Sequence, residues 1–167
     1  KTKNKEELQE MINQDKWDDI YKKYPVADGN FVYLPAGCLH AMGKGNVVYE
    51  IQQSTDVTYR FYDYHRKDKD GNERELHLKQ AIDCLSFDKD IDKNDVHPVV
   101  KVHENVKETI FISNDSFTVS QLLVIGKCQY KCDNYQLATV VKGSGKVDEY
   151  DVKVGDNFLI PTNTSIE

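Results

Sequence analysis

The stretch Gly29-Asn30-Phe31-Val32-Tyr33-Leu34-Pro35 returns late in the chain as Gly155-Asp156-Asn157-Phe158-Leu159-Ile160-Pro161. In both copies glycine with Asn or Asp makes a turn, a short apolar run follows, and a proline ends it. A repeated turn–strand–proline unit commits the chain to short strands that reverse quickly, and its recurrence supports a layout of two similar barrels. The copies differ five residues after the proline, where the first has His40 and the second Ile166. Only the first can offer a metal ligand at that place.

The rest of the pattern agrees. Asn30–Leu34, Asn46–Gln53, Thr55–Tyr64, Val99–Val106, Ile110–Ser113, Phe117–Ile125, Gln136–Lys142, Lys146–Val152 and Asn157–Ile160 are rich in Val, Ile, Tyr, Phe and Thr and predict strands. Closely spaced strands favour a barrel or sandwich over a parallel α/β sheet. Helix is expected over Lys5–Lys23, where Leu8, Met11, Ile12, Trp17, Ile20 and Tyr21 approximate a stripe. Asn4 is its candidate N-cap, Asn13–Asp15 a candidate break, and Tyr24-Pro25 its end. A second, short helix is expected over Leu78–Leu85. The polar, acidic stretch Phe87–Pro98 reads as a linker. It divides the chain into 1–90, a helical segment plus part of one barrel, and 97–167, a second β-domain.

Charge and composition narrow the function. A net charge of −6 argues against a nucleic-acid partner, because phosphate binding needs a basic face. No apolar run approaches the ~20 residues that cross a bilayer, and no apolar stretch follows the basic Lys1–Lys5, so neither membrane nor secretory signal is expected. Cys38, Cys84, Cys128 and Cys132 show no finger-type zinc spacing and read as reduced thiols of a cytoplasmic protein.

The chemistry concentrates in Pro35–Arg66, PAGCLHAMGKGNVVYEIQQSTDVTYRFYDYHR. The G-x-x-x-x-[LI]-P repeat resembles the second motif of cupins, small antiparallel β-barrels. The larger block resembles the active-site segment of type I mannose-6-phosphate isomerases of the shorter bacterial form: P-[AS]-G-x-x-H-A, then E-x-Q-Q-x-S/T-D-x-T-Y-R, then a Y-D-Y/F-x-R ending. A looser likeness extends through Glu75–Ala81 and the second repeat. The resemblance implies a mainly β, cupin-type double-barrel (jelly-roll) fold. It also implies a zinc-dependent aldose–ketose isomerase interconverting mannose 6-phosphate and fructose 6-phosphate through a cis-enediol.

Carried over by position, His40 corresponds to a zinc ligand, Arg60 to an active-site arginine and Glu50 to a carboxylate for proton transfer. A neutral imidazole can ligate Zn²⁺, a carboxylate beside a metal and a guanidinium can relay protons between C1 and C2, and a guanidinium can stabilise a developing enediolate or hold phosphate with its planar fork. Against these stand plainer readings: a histidine bonded to backbone, a surface glutamate and a surface ion-pair arginine. A lone histidine is more often the former, but its motif reverses the odds. Gln52, Gln53, Asp56 and Thr58 are weaker candidates to line a pocket. His65, His77, His97 and His103 do not cluster by spacing and read as structural or solvated.

The resemblance also places the remaining zinc ligands upstream, and nothing in Lys1–Asn30 resembles their motif. The chain is therefore expected to hold one ligand of the set, to leave its first barrel incomplete, and to need the N-terminal half of the same enzyme for activity. Homo-oligomerisation is left open. The alternatives are a non-catalytic sugar- or metabolite-binding cupin, disfavoured by His40, Glu50 and Arg60 occurring together, and a cupin dioxygenase, for which the paired histidines of the first cupin motif are missing.

Overall fold

A computed structural model describes residues 2–55, 57–87 and 96–167. It divides into two compact units, Lys1–His97 with Asn114–Phe117, and Pro98–Ser113 with Thr118–Glu167. Most of the expected linker, Phe87–Pro98, lies outside the described residues.

In the first unit, α1 (Lys5–Asn13) starts at Asn4, whose side chain accepts the Glu7 N–H at 2.8 Å. That satisfies one of the donors a helix N-terminus leaves open, and Glu6 and Glu7 complement the positive end of the helix dipole. The expected break is real. Asp15 takes φ +56°, Lys16 N donates to Met11 O at 2.9 Å and Asp15 N to Ile12 O at 3.0 Å. This is a Schellman ending with aspartate in the left-handed position usually given to glycine. The single helix expected over Lys5–Lys23 is therefore α1 followed by a short α2 (Trp17–Ile20). The turn lets Trp17 stack on Tyr62, with ring centroids 4.2 Å apart, and meet Phe61 edge-on at 5.9 Å. α3 (Leu78–Cys84) forms where a short helix is expected. Leu8, Ile20, Phe61, Ala81 and Ile82 form the buried cluster of this unit, so all three helices pack on the Phe61 segment.

Between Tyr21 and His77 the outcome differs from expectation. Asn30–Leu34, Asn46–Gln53 and Thr55–Tyr64 are not strands of any sheet among the described residues, and the region holds only an isolated antiparallel bridge, Lys67 to Glu73. Their composition suits strands, yet a strand needs a partner for its backbone N–H and C=O groups. The apolar side chains show the same deficit. Val47 is fully exposed, and Val48, Tyr49, Ile51, Val57 and Tyr59 are exposed as well.

The second unit is β throughout. β1 (Val99–His103), β2 (Val106–Ser113) and β3 (Thr118–Val124) make an antiparallel sheet in that order, with an irregularity between Ile110 and Ile112. The β2–β3 turn is held by Asn114 Oδ1, which accepts the N–H groups of Ser116 and Phe117 at 2.8 and 3.0 Å. The remaining strands are β4 (Tyr130–Cys132), β5 (Gln136–Thr139), β6 (Ser144–Val147), β7 (Tyr150–Lys153), β8 (Asn157–Ile160) and β9 (Thr164–Ile166). They pair antiparallel as β6 with β7, β5 with β8 and β4 with β9. This nesting of outer pairs around an inner hairpin is the jelly-roll arrangement. Lys146–Val152, expected as one strand, is instead a hairpin that turns where Asp148 adopts φ +51°. In the repeated phrase, both glycines take positive φ, Gly29 +82° and Gly155 +94°, but only the second copy continues into a paired strand.

Leu8 is 1% exposed at the centre of the first unit's cluster. Leu8→Ala is expected to destabilise that unit by about 2–5 kcal/mol, the usual range for a buried leucine. Trp17 is the single tryptophan and lies against this cluster, so its fluorescence during urea unfolding checks the shift.

Candidate active site

His40, Glu50 and Arg60 all belong to the first unit, and each is held differently. His40 follows a turn closed by Cys38 N donating to Pro35 O at 3.1 Å. Gly37, in that turn, has φ +81°, and a Cβ there would meet Cys84 O at 2.8 Å and Ser86 Oγ at 2.9 Å. Only glycine fits both the backbone angle and the approach. Ser86 N donates to Gly37 O at 3.0 Å, so the turn is bonded to the chain leaving α3.

The exposed His40 ring has Nδ1 3.0 Å from the Cys38 carbonyl oxygen. A carbonyl only accepts, so Nδ1 carries the proton and Nε2 keeps its lone pair. Metal-ligating histidines are commonly oriented by such a bond, which fixes the tautomer and leaves the other nitrogen to coordinate. His40 thus suits one position of a metal site. Among the described residues no group of three or more His, Cys, Asp or Glu could hold an ion. A catalytic zinc ordinarily takes about three protein ligands, so this chain's described residues fit one part of such a site and not the whole.

Arg60 is half-buried and fastened at the other end of α3. Its N–H donates to His77 Nδ1 at 3.1 Å, and its carbonyl accepts the His77 N–H at 2.8 Å. Its Nη1 reaches Glu75 O at 3.5 Å. Glu50 is exposed and makes no hydrogen bond or ion pair among the described residues. Nothing described bonds His40, Glu50 and Arg60 to one another. Of the weaker candidates, Gln53 Nε2 donates to Ser116 Oγ, and Asp56 lies outside the described residues.

Asp63, the aspartate of the Y-D-Y/F-x-R ending, is not singled out by its position and is only 6% exposed. Its Oδ1 pairs with Arg66 Nη2, while Oδ2 is buried with no partner among the described residues. The Arg66 hydrogen bond holds the carboxyl below its ordinary 3.8, against the opposing effect of burial, and the charges of Arg66, Arg74 and Arg60 add to it. Tyr64 and His65 both take left-handed backbone, φ +56° and +52°, and Arg66 N donates to Asp63 O at 3.0 Å, which makes a type I′ turn. Residues with side chains resist that conformation by about 1–2 kcal/mol each. The Asp63–Arg66 pair spans the two ends of this turn and opposes that strain.

The sequence matches no family model. It is 37% identical over 164 residues to the mannose-6-phosphate isomerase of Streptococcus mutans and 36% identical over 165 residues to mannose-6-phosphate isomerase ManA of Bacillus subtilis. It is 34% identical to GmuF of Bacillus subtilis, a probable mannose-6-phosphate isomerase. These matches cover 94–95% of this chain but 51% of each relative, so the chain spans about half the length of the curated relatives it matches. The crystal structure of the mannose 6-phosphate isomerase from Bacillus subtilis matches 99% of this chain and 55% of that one, with a TM-score of 0.89 at 29% identity. The mainly β, cupin-type fold implied by the sequence is that of this neighbour.

Asp63 generates a pH prediction. A carboxyl held below its ordinary value stabilises the fold above pH 3.8, and that contribution is lost as pH falls through the lowered folded value. Asp63→Asn is therefore expected to be less stable than the parent at neutral pH, and the denaturation midpoints should converge as pH drops below 3.8. Parallel midpoints at all pH values would show that the carboxylate charge contributes nothing.

Proposed function

We propose that this chain, which is 32–37% identical to mannose-6-phosphate isomerases and matches their C-terminal half, is part of an aldose–ketose isomerase acting on mannose 6-phosphate and fructose 6-phosphate. The observation carrying this reading is 37% identity to an enzyme of that name along 95% of the chain.

Zn²⁺ at this site would polarise the carbonyl and hydroxyl oxygens of the open-chain sugar. His40 would hold it through Nε2, which the Nδ1–Cys38 bond leaves available. Glu50 would move the proton between C2 and C1, and Arg60 would stabilise the charge that develops on the enediol oxygens. The remaining ligands would come from the other half of the enzyme, which would also complete the barrel containing 29–85. That these extended segments join no sheet among the described residues, and that Val47, Val48, Ile51, Val57 and Tyr59 are exposed, supports this, because further strands would meet both deficits. No helix among the described residues is long and apolar enough to cross a membrane.

The test uses the complete enzyme. Removing one preorganised charge-stabilising donor typically lowers turnover by ~10²–10³. Arg60→Ala is expected to lower kcat on that scale with metal content unchanged, since a guanidinium has no lone pair to give. Arg60→Lys should recover little, because an ammonium cannot reproduce the planar fork. His40→Ala should lose metal and activity together. If Arg60→Ala mainly raises KM and spares kcat, the arginine is a phosphate anchor. If His40→Ala keeps full metal, His40 is not a ligand.

A further inference from the structure

His77 lies immediately before α3, and its backbone carbonyl already accepts the Ala81 N–H at 2.8 Å, the first bond of the helix. An extended neighbour would ordinarily use that carbonyl as the acceptor for its own N–H. Arg60 meets a substitute: its N–H donates to the His77 ring at Nδ1, 3.1 Å away, while the His77 N–H returns a bond to Arg60 O at 2.8 Å. One residue thus grips both backbone polar groups of Arg60, one with its main chain and one with its side chain. Since the Arg60 N–H can only donate, Nδ1 presents its lone pair and the ring proton sits on Nε2. The ring is steadied by edge contact with Tyr59, centroids 6.3 Å apart. The next residue after Arg60, Phe61, is 5% exposed in the core beside Ala81 and Ile82 of α3. His77 is therefore the link that carries the rigidity of the packed helix to the arginine.

We propose that His77 is a positioning residue whose ring, standing in for a strand carbonyl, fixes the Arg60 backbone and so aims its guanidinium for turnover. This rests on the role proposed above for Arg60. Asparagine at this position is the informative replacement. Its Oδ1 falls where Nδ1 lies and can only accept, whereas the longer glutamine side chain carries its amide past that point.

In the complete enzyme, with rates normalised to folded, metal-loaded protein, His77→Gln is expected to lower kcat on the order of 10²-fold, the scale of a ~1 Å misplacement. KM should change little, and His77→Asn should restore most of kcat. The Arg60 amide resonance provides a readout independent of activity: it should move in His77→Gln and stay near its parent position in His77→Asn. Parental kcat in His77→Gln, or equal impairment of both variants, overturns the proposal. Should His77→Gln fail to fold, His77→Asn decides: near-parental kcat supports the proposal and a loss near 10²-fold overturns it. Arg60→Ala separates the layers. If it spares kcat, the reading of Arg60 fails and this inference with it. If it is impaired while His77→Gln is not, only this inference fails.

Discussion

Burial of Phe61 against α1, α2 and α3 is the contact from which the geometry of the first unit follows. The segment around it has no sheet partner among the described residues, yet it keeps the alternation of a strand: Phe61 and Asp63 face inward at 5% and 6% exposure, while Arg60 and Tyr62 are only partly buried. Fixing Phe61 therefore fixes which way Arg60 projects. Trp17 adds to the hold by stacking on Tyr62, and it can do so only because the chain reverses at Asp15. The left-handed aspartate and the aromatic stack are two parts of one arrangement.

The same alternation creates a problem that the chain solves with charge. An inward position next to a phenylalanine is occupied by a carboxylate, and a buried ion is tolerated only when paired. Asp63 is paired by Arg66 three residues on, across a turn whose two central residues both have positive φ. Neither Tyr64 nor His65 is the Asn or Gly such a turn prefers. The ion pair and the strained turn therefore depend on each other. Losing the pair would leave a buried charge and release the turn that brought Arg66 back.

How much of this was legible in the sequence depends on whether the signal is local. Asn4 as a cap, the break near Asp15, the helix over Leu78–Cys84 and the strand Asn157–Ile160 all follow from neighbours a few residues apart. Lys146–Val152 looks like one strand in sequence because its reversal, at Asp148-Glu149, carries no Gly, Asn or Pro. β4 and β9 are three residues each, too short to show alternation. The segments between Asn30 and Tyr64 have the composition of strands, but composition reports suitability for a ladder, whereas pairing is a property of the partner. At the site, His40 and Arg60 stood out because they sit inside a long motif. Asp63 shares that motif and His77 lies outside it, yet neither role is announced by spacing, because both come from contacts: a carboxylate turned inward, and a ring bonded seventeen residues back.

The two ends of α3 explain why the candidate residues are not equally well placed. The helix has seven residues, roughly 10 Å at 1.5 Å per residue. Its N-terminal end grips Arg60 through His77, and its C-terminal end, through Cys84 and Ser86, receives the Gly37 turn that leads to His40. A packed helix is a stiffer spacer than a loop, so the anchors of these segments are held apart by a nearly fixed length. Among the described residues Glu50 has no such attachment. It lies on a segment that joins no sheet among the described residues, and its neighbours Val48, Tyr49 and Ile51 are exposed. A carboxylate that transfers protons must be placed to within about 0.5 Å, a precision that an extended segment outside any sheet does not supply. On the proposed mechanism, then, the metal ligand and the arginine take their positions from this chain's own core. The acid/base takes its position from whatever pairs with residues 46–53.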